Sequence, residues 1–528
     1  MKIKGFEKVS VLVVTVLLAL FLAPLIILSF PHSYVNVSTG IERVFLLTQN
    51  PVTVILCTVF FIAGLYIITA LLCLIPEKQG RIIIPAVTSL AAFVIAFIWV
   101  TGSRTYPQAD QEYTYLAGVL IAKGDAAMRS DEVVRAYIQM YPQQLGLAMF
   151  HAMLIRVSGV VSPKLLLNVN VFCVPFIFTG IYITAYKVSK SYRCAVAALL
   201  LCLTCLPLYF YTSYDYGEIT STTFSLVCII LSMSISEGLT QCFSDMTKSR
   251  RAGYILSYIG CFVFAFLAAM VRMNSLIVMI AIAVVILVKV ITVKKPIGLI
   301  VMVCVLVGAL LPGKISKAVY ADALDGKDGM PAVLWIAMGM QETDSACGWN
   351  NYYNVTTFTD NGCDSKASSE QAKKDIIERI GFFAANPGEA AQFYLNKYES
   401  QWNCPLYQSV QMNSRIEGTP DKIQGSILFF ENAYYMVRSF SNIHHSAVFL
   451  CALIGLIYML VRRKRIENYI IPVVIVGGML FSLMWEGKAR YCFPYYVFIL
   501  VLSAAAMEPI NDMIHRILEP IRSKMRKS

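Results

Sequence analysis

Residues 141–157, YPQQLGLAMFHAMLIRV, are apolar enough to pass for a membrane span, and whether they cross decides on which side every later loop lies. Gln143, Gln144, His151 and Arg156 fall inside the stretch, a costly set for a helix facing lipid. It therefore reads as a surface or re-entrant helix at the outer membrane face. The residues before it agree, since Tyr113, Leu116, Ala117, Leu120 and Ile121 share one helical face with Lys123 beyond them. Twelve spans remain, at 9–30, 52–75, 82–100, 164–186, 194–210, 219–236, 253–271, 274–291, 296–312, 445–461, 469–485 and 490–507. With the N-terminus inside, the cytoplasmic connections are Glu77 to Arg81, Lys187 to Arg193, Lys248 to Arg251, Lys289 to Lys295, Arg462 to Arg465 and a tail with Arg516, Arg522, Lys524, Arg526 and Lys527. All are basic, as cytoplasmic loops of membrane proteins are.

Composition supports the bilayer as solvent. The 528 residues are 57% hydrophobic and 14% charged, with mean hydropathy +0.64, far from the usual soluble range. A net charge of +12 would suit nucleic acid if it formed one stripe, but the Lys and Arg residues sit in short clusters between apolar runs. No nucleic-acid partner is expected. Most of the fifteen cysteines lie within apolar runs, and no zinc-type CxxC pair occurs. The first apolar run follows Lys2, Lys4 and Lys8 without a small-residue exit, so it reads as a retained helix rather than a cleaved signal.

The expected fold is an all-α polytopic bundle of about twelve transmembrane helices, with outer interfacial helices and a mostly helical extracytoplasmic domain. Its parts are an N-terminal hairpin (1–81), a core (82–312) with outer loop 101–163, an extracytoplasmic domain (313–444), C-terminal spans (445–507) and a basic tail (508–528). Cys347 and Cys363 are a plausible disulfide in the outer domain, with Cys404 left over.

Ionisable residues collect in four outer connections. Asp110, in Tyr106-Pro107-Gln108-Ala109-Asp110-Gln111-Glu112, is placed at the water boundary, as a general base would be; the plain alternative is a solvated acid capping the next helix. The turn from Tyr209 to Glu218 holds Tyr209, Tyr211, Tyr214 and Tyr216, which an interfacial belt explains, and Asp215 and Glu218, which it does not. The two acids suit a sugar hydroxyl or a divalent cation. Arg272 interrupts apolar sequence, an expense that an anion or snorkelling would offset. Glu486, Lys488, Arg490 and Tyr491 form the turn before the last span, where Arg490 and Lys488 suit a lipid phosphate or an ordinary snorkelling rim.

An acid after an outer-facing span, an interfacial helix beginning Tyr-Pro-Gln-Gln-Leu-Gly, and Ala489-Arg490-Tyr491 with Pro494 together resemble the GT-C superfamily of polyprenyl-phosphate-sugar glycosyltransferases, in its protein-mannosyltransferase-like branch. Tyr216-Gly217-Glu218, Arg272-Met273-Asn274, the run Trp335 to Glu342, Gly348-Trp349-Asn350-Asn351, and Lys397 with Ser400-Gln401-Trp402-Asn403 resemble a Gram-positive group of that superfamily. The resemblance implies Asp110 as the catalytic acid, Glu218 as a second outer acid and Arg490 as a donor-phosphate contact. Here the acid follows the third span rather than the first, so the first two spans look like an added hairpin, and Asp110-Gln111-Glu112 lacks the clear D-x-D or E-x-D pair of some relatives.

On that resemblance the chain moves a sugar from a polyprenyl-phosphate-linked donor to an extracytoplasmic glycan or polymer acceptor, working among membrane lipid. Glu112, Asp215, Glu218, Arg272, Trp349, Trp402, Glu486, Lys488, Arg490 and Tyr491 are the expected substrate contacts, with the aromatic region 331–405, Trp349 and Trp402 included, presenting the acceptor by stacking on sugar faces. No cofactor is certain; a divalent cation, Mg or Mn, is the candidate. An envelope glycan polymerase or ligase, and a flippase for lipid-linked oligosaccharide, are the alternatives.

Overall fold

The structure, a computed structural model, describes residues 2–38, 42–239, 247–344, 346–413 and 415–525; Arg526 and Lys527 of the basic tail lie outside them. The chain opens with α1 (Lys2–Ser29), an antiparallel hairpin of β1 (His32–Ser38) and β2 (Glu42–Thr48), then α2 (Pro51–Leu72) and α3 (Glu77–Ser103). Four shorter helices follow, α4 (Asp110–Lys123), α5 (Asp125–Ser130), α6 (Glu132–Met140) and α7 (Leu145–Ser158). The bundle resumes with α8 (Lys164–Ser189), α9 (Tyr192–Leu203), α10 (Leu206–Phe210), α11 (Glu218–Gly238), α12 (Lys248–Val271), α13 (Leu276–Val293) and α14 (Leu299–Val319). A separate stretch holds α15 (Ala321–Leu324), α16 (Val333–Met338), α17 (Tyr353–Asp360), α18 (Ser365–Ala385), α19 (Pro387–Trp402) and α20 (Lys422–Leu428). The chain returns in α21 (Asn432–Arg462), α22 (Ile470–Met484) and α23 (Ala489–Ala504) and ends in α24 (Met507–Met525).

Among the described residues eleven helices are long and apolar enough to cross a membrane, or twelve if α9 and its continuation through α10, bent by 59°, count as one span. Each of the twelve expected spans falls on one of them. Their outer faces suit lipid as solvent: Phe60, Leu74 and Ile82 are more than 70% exposed, positions that water would penalise. Small residues bring the inner helices close. A Cβ on Gly455 of α21 would strike the Leu502 carbonyl of α23, and one on Gly308 of α14 would strike that of Phe262 on α12.

Two expectations are adjusted. Helix α21 begins at Asn432 rather than near 445, because Ser441, Asn442, His444 and His445, which lower its hydropathy, are buried against protein instead of facing lipid or water. The His32–Thr48 hairpin was not anticipated; its strands are short and its turn lies in the connection between two spans.

The 14 residues of α7 make a helix about 21 Å long, short of the ~30 Å of hydrocarbon. It packs against α4, α8, α12 and α14. More than a surface helix, it is an inner wall, with Leu145, Ala148, His151 and Ala152 all buried. Its placement leaves the ends of α1, α3, α10, α12, α14 and α22 at one end of the bundle. Ion pairs of the basic connections, Arg81–Glu77, Lys187–Glu237 and Lys289–Glu467, hold the other.

Candidate active site

The site is assembled from four connections at the loop end. Residues 104–106 run antiparallel to 415–417: Thr105 bridges Ile416, the Tyr106 N–H donates to the Arg415 carbonyl (2.8 Å) and the Glu417 N–H to that of Arg104 (2.9 Å). Gln108 and Gln111 each donate to the Met412 carbonyl, at 3.3 and 3.4 Å. These bonds fix the start of α4, whose first residue is Asp110. Ala109, just before it, has φ +49°, a strained setting for a residue with a Cβ. The Asp110 carboxylate accepts from the Tyr137 hydroxyl (3.2 Å) and from that of Tyr216 (3.5 Å).

Tyr216 is the hub. Its phenol, pushed well up by burial and by Asp110 beside it, stays protonated and donating. The Arg490 guanidinium lies 5.1 Å from its ring centroid and that of Arg272 4.9 Å, both within cation–π range. The Arg272 charge is already met: Glu218, the first residue of α11, lies 3.1 Å away, and Arg272 also donates to the Tyr216 carbonyl (3.2 Å). Gly217, at φ +88°, makes the turn that sets Tyr216 and Glu218 on either side.

Arg490 is different. It is 6% exposed, donates to the Tyr214 hydroxyl and to the Met412 sulfur (3.8 Å), and leaves its Nε without a partner. Among the described residues no carboxylate reaches ion-pair distance of it. A buried guanidinium held by phenols, with no described carboxylate within 4.0 Å, is a candidate anion site. Its backbone N–H donates to Gln408 (3.0 Å), part of the loop 404–413 that floors the site and is buried except at Met412.

Lys488 lies 3.2 Å from both Glu486 and Glu42, the latter brought in by the β-hairpin. Burial opposes the lysine's charge, yet the two carboxylates outweigh it and hold its pKa above the ordinary value. Burial raises that of Glu486. Lys488 is therefore engaged by carboxylates, which corrects its reading as a free phosphate clamp. Tyr491 donates to Glu486 (3.3 Å) and flanks Arg490, its ring 5.2 Å from the guanidinium.

Asp215 lies behind the hub, 3.3 Å from His151 of α7, with its N–H on Gln111 (2.8 Å). Both side chains are buried, and burial raises the carboxyl well up while lowering the imidazole to about 4. Burial therefore favours the uncharged form of each group. Asp215 is a support for the wall and not a substrate contact.

Other expectations move further. Trp349 and Trp402 are 1% and 0% exposed, their indole N–H groups donating to Ser400 (2.9 Å) and Ser482 (2.8 Å). They are packing residues, which corrects their reading as sugar platforms. Glu112 sits at the rim, paired with Arg415 at 2.5 Å. Asp110, Asp215 and Glu218 do not form a cation site: each has its own partner, and no group of three or more His, Cys, Asp or Glu suited to a metal occurs among the described residues. Cys347 and Cys363 are free thiols, not a disulfide. Tyr137, Tyr216, His151 and Glu42 were missed as site residues, Tyr216 because a belt explained it, the others because nothing in their local sequence pointed to their partners. The sequence matches no family model and no curated protein, and no solved structure resembles the fold.

Proposed function

We propose that the chain is a membrane glycosyltransferase that moves a sugar from a polyprenyl-phosphate carrier to an acceptor outside the cytoplasm. One observation carries the reading. A half-buried carboxylate, Asp110, and a buried guanidinium without an ion-pair partner, Arg490, meet at the two sides of one tyrosine, Tyr216. In the reaction, Asp110 takes the proton of the acceptor hydroxyl as its oxygen bonds to the anomeric carbon. The bond from that carbon to the carrier phosphate breaks, its electron pair leaves with the phosphate, and the growing negative charge meets Arg490. A direct displacement of this kind inverts the anomeric centre.

The outward orientation of the site rests on the basic connections at the opposite end, whose excess of Lys and Arg favours the cytoplasm. The test is mass spectrometry of envelope glycans from cells carrying Asp110→Asn in place of the native gene. Loss of one sugar with unchanged protein level supports the reading. Intact glycans in that strain would refute it.

A further inference from the structure

From Asp110 a row of aromatic rings leads away from the hub. Tyr113 stacks on Tyr137 (centroids 5.0 Å, 22°), Tyr137 meets Tyr141 (5.1 Å), Tyr141 meets Trp335 edge-on (6.4 Å), and Trp335 lies parallel to Trp485 (6.0 Å, 5°). None of the five rings is buried, although they come from four elements: α4, the α6 region, α16 and the turn after α22. Tyr137, Tyr141 and Trp335 each lend part of their surface to a hydrophobic cluster and leave the rest uncovered. The other three tryptophans, Trp99, Trp349 and Trp402, are at most 5% exposed, and each donates its indole N–H to a serine. Of the five tryptophans only the two of the row are partly exposed, and Trp485 also stacks on Phe481 (5.4 Å, 23°).

The row also has polar ends. Tyr137 donates to Asp110 at one end, and Glu486, next to Trp485, lies at the other. Alternating apolar faces and hydrogen-bonding edges match a chain of sugar rings, which offers C–H groups on its faces and hydroxyls at its edges. An isoprenoid tail has no use for the polar edges. Trp335, moreover, comes from the stretch between α14 and α21, in which no helix among the described residues is long and apolar enough to span.

We propose that Tyr113, Tyr137, Tyr141, Trp335 and Trp485 form subsites for an extended saccharide acceptor whose terminal hydroxyl reaches Asp110. The inference rests on the transferase reading, and it sharpens it: the acceptor is a growing glycan of several units rather than a single sugar or a peptide side chain.

Tryptophan fluorescence of the full chain in detergent tests it. The probes are neutral oligosaccharides of graded length cut from the cell's own envelope polymer, and vesicles containing a polyprenyl phosphate. Longer oligosaccharides are expected to shield the emission from acrylamide, with affinity rising about tenfold between the shortest and longest, and Trp335→Leu is expected to remove that length dependence. Trp335→Tyr, which keeps a ring, is expected to restore most of it. Shielding by the polyprenyl phosphate but not by saccharide, or saccharide binding that ignores length, would overturn the proposal. If binding grows with length but no polyprenyl-linked sugar is ever transferred, the subsites stand and the transferase reading falls.

Discussion

Tyr216 joins three groups that seldom share one ring: a carboxylate at its hydroxyl and two guanidinium groups against its ring. The arrangement assigns separate work to its neighbours. Asp110→Asn keeps the size of the side chain and most of its hydrogen bonding but cannot take a proton, so transfer should fall by at least about a hundredfold while thermal unfolding in detergent stays unchanged. Arg490→Lys keeps a charge but loses the fork that spans Tyr214 and an anion. It should slow transfer by about a hundredfold, read as turnover at saturating donor. The neutral Asp215–His151 pair predicts a particular pH profile. Folded, it holds one proton; unfolded, with ordinary values of 3.8 and 6.5, it also holds one between those limits, so stability there does not depend on pH. In Asp215→Asn the histidine acts alone, neutral when folded and charged when unfolded. Its contribution is then complete above pH 6.5 and lost as pH falls toward about 4. The variant's apparent melting temperature should drop between pH 7 and 5 more steeply than that of the native chain; parallel curves would contradict the neutral pair.

At the level of elements, the last turn before α23 is the piece held from most directions. The Gly487 N–H donates to the Gly348 carbonyl (2.7 Å), Lys397 of α19 donates to the carbonyls of Gly339 and of Leu483 (2.9 Å), and Gln401 accepts from the Lys488 N–H (3.2 Å). Burial lowers the Lys397 pKa to about 7. Gly339 lies so close that a Cβ there would sit 2.5 Å from the Trp485 carbonyl oxygen. Gly339→Ala should therefore displace the turn, costing about 1–3 kcal/mol and at least tenfold in transfer, whereas Gly381→Ala, with nothing within 4 Å, should be neutral on both counts. The spans themselves were readable from the sequence, since a run of about 20 apolar residues has few other uses. So was the gathering of Asp110, Glu218, Arg272 and Arg490 at one end of the bundle, which follows from counting crossings. What those residues touch was not readable. Lys488 meets Glu42 across more than four hundred residues of chain, and Trp349 and Trp402 look like any other aromatic until their indoles are seen enclosed. The hairpin and the long start of α21 escaped for a related reason: polar residues buried against protein read, in one dimension, as loop.

The whole molecule is polarised, with paired basic connections at one end and the buried Arg490 at the other. Its orientation can be read from a native thiol. Cys363 is the exposed free cysteine among the described residues and belongs to the loop end. A membrane-impermeant maleimide should label intact cells through it, and Cys363→Ser should lose that label; labelling only after permeabilisation would turn the site inward. The central claim, that this end breaks the bond between a carrier phosphate and a sugar, is tested most directly with the purified chain in vesicles loaded with a polyprenyl-phosphate-linked sugar. The account predicts free polyprenyl phosphate and a lengthened acceptor with the native chain, and neither with Asp110→Asn. Movement of the intact lipid-linked sugar from one leaflet to the other, with no cleavage and no effect of Asp110→Asn, would contradict it.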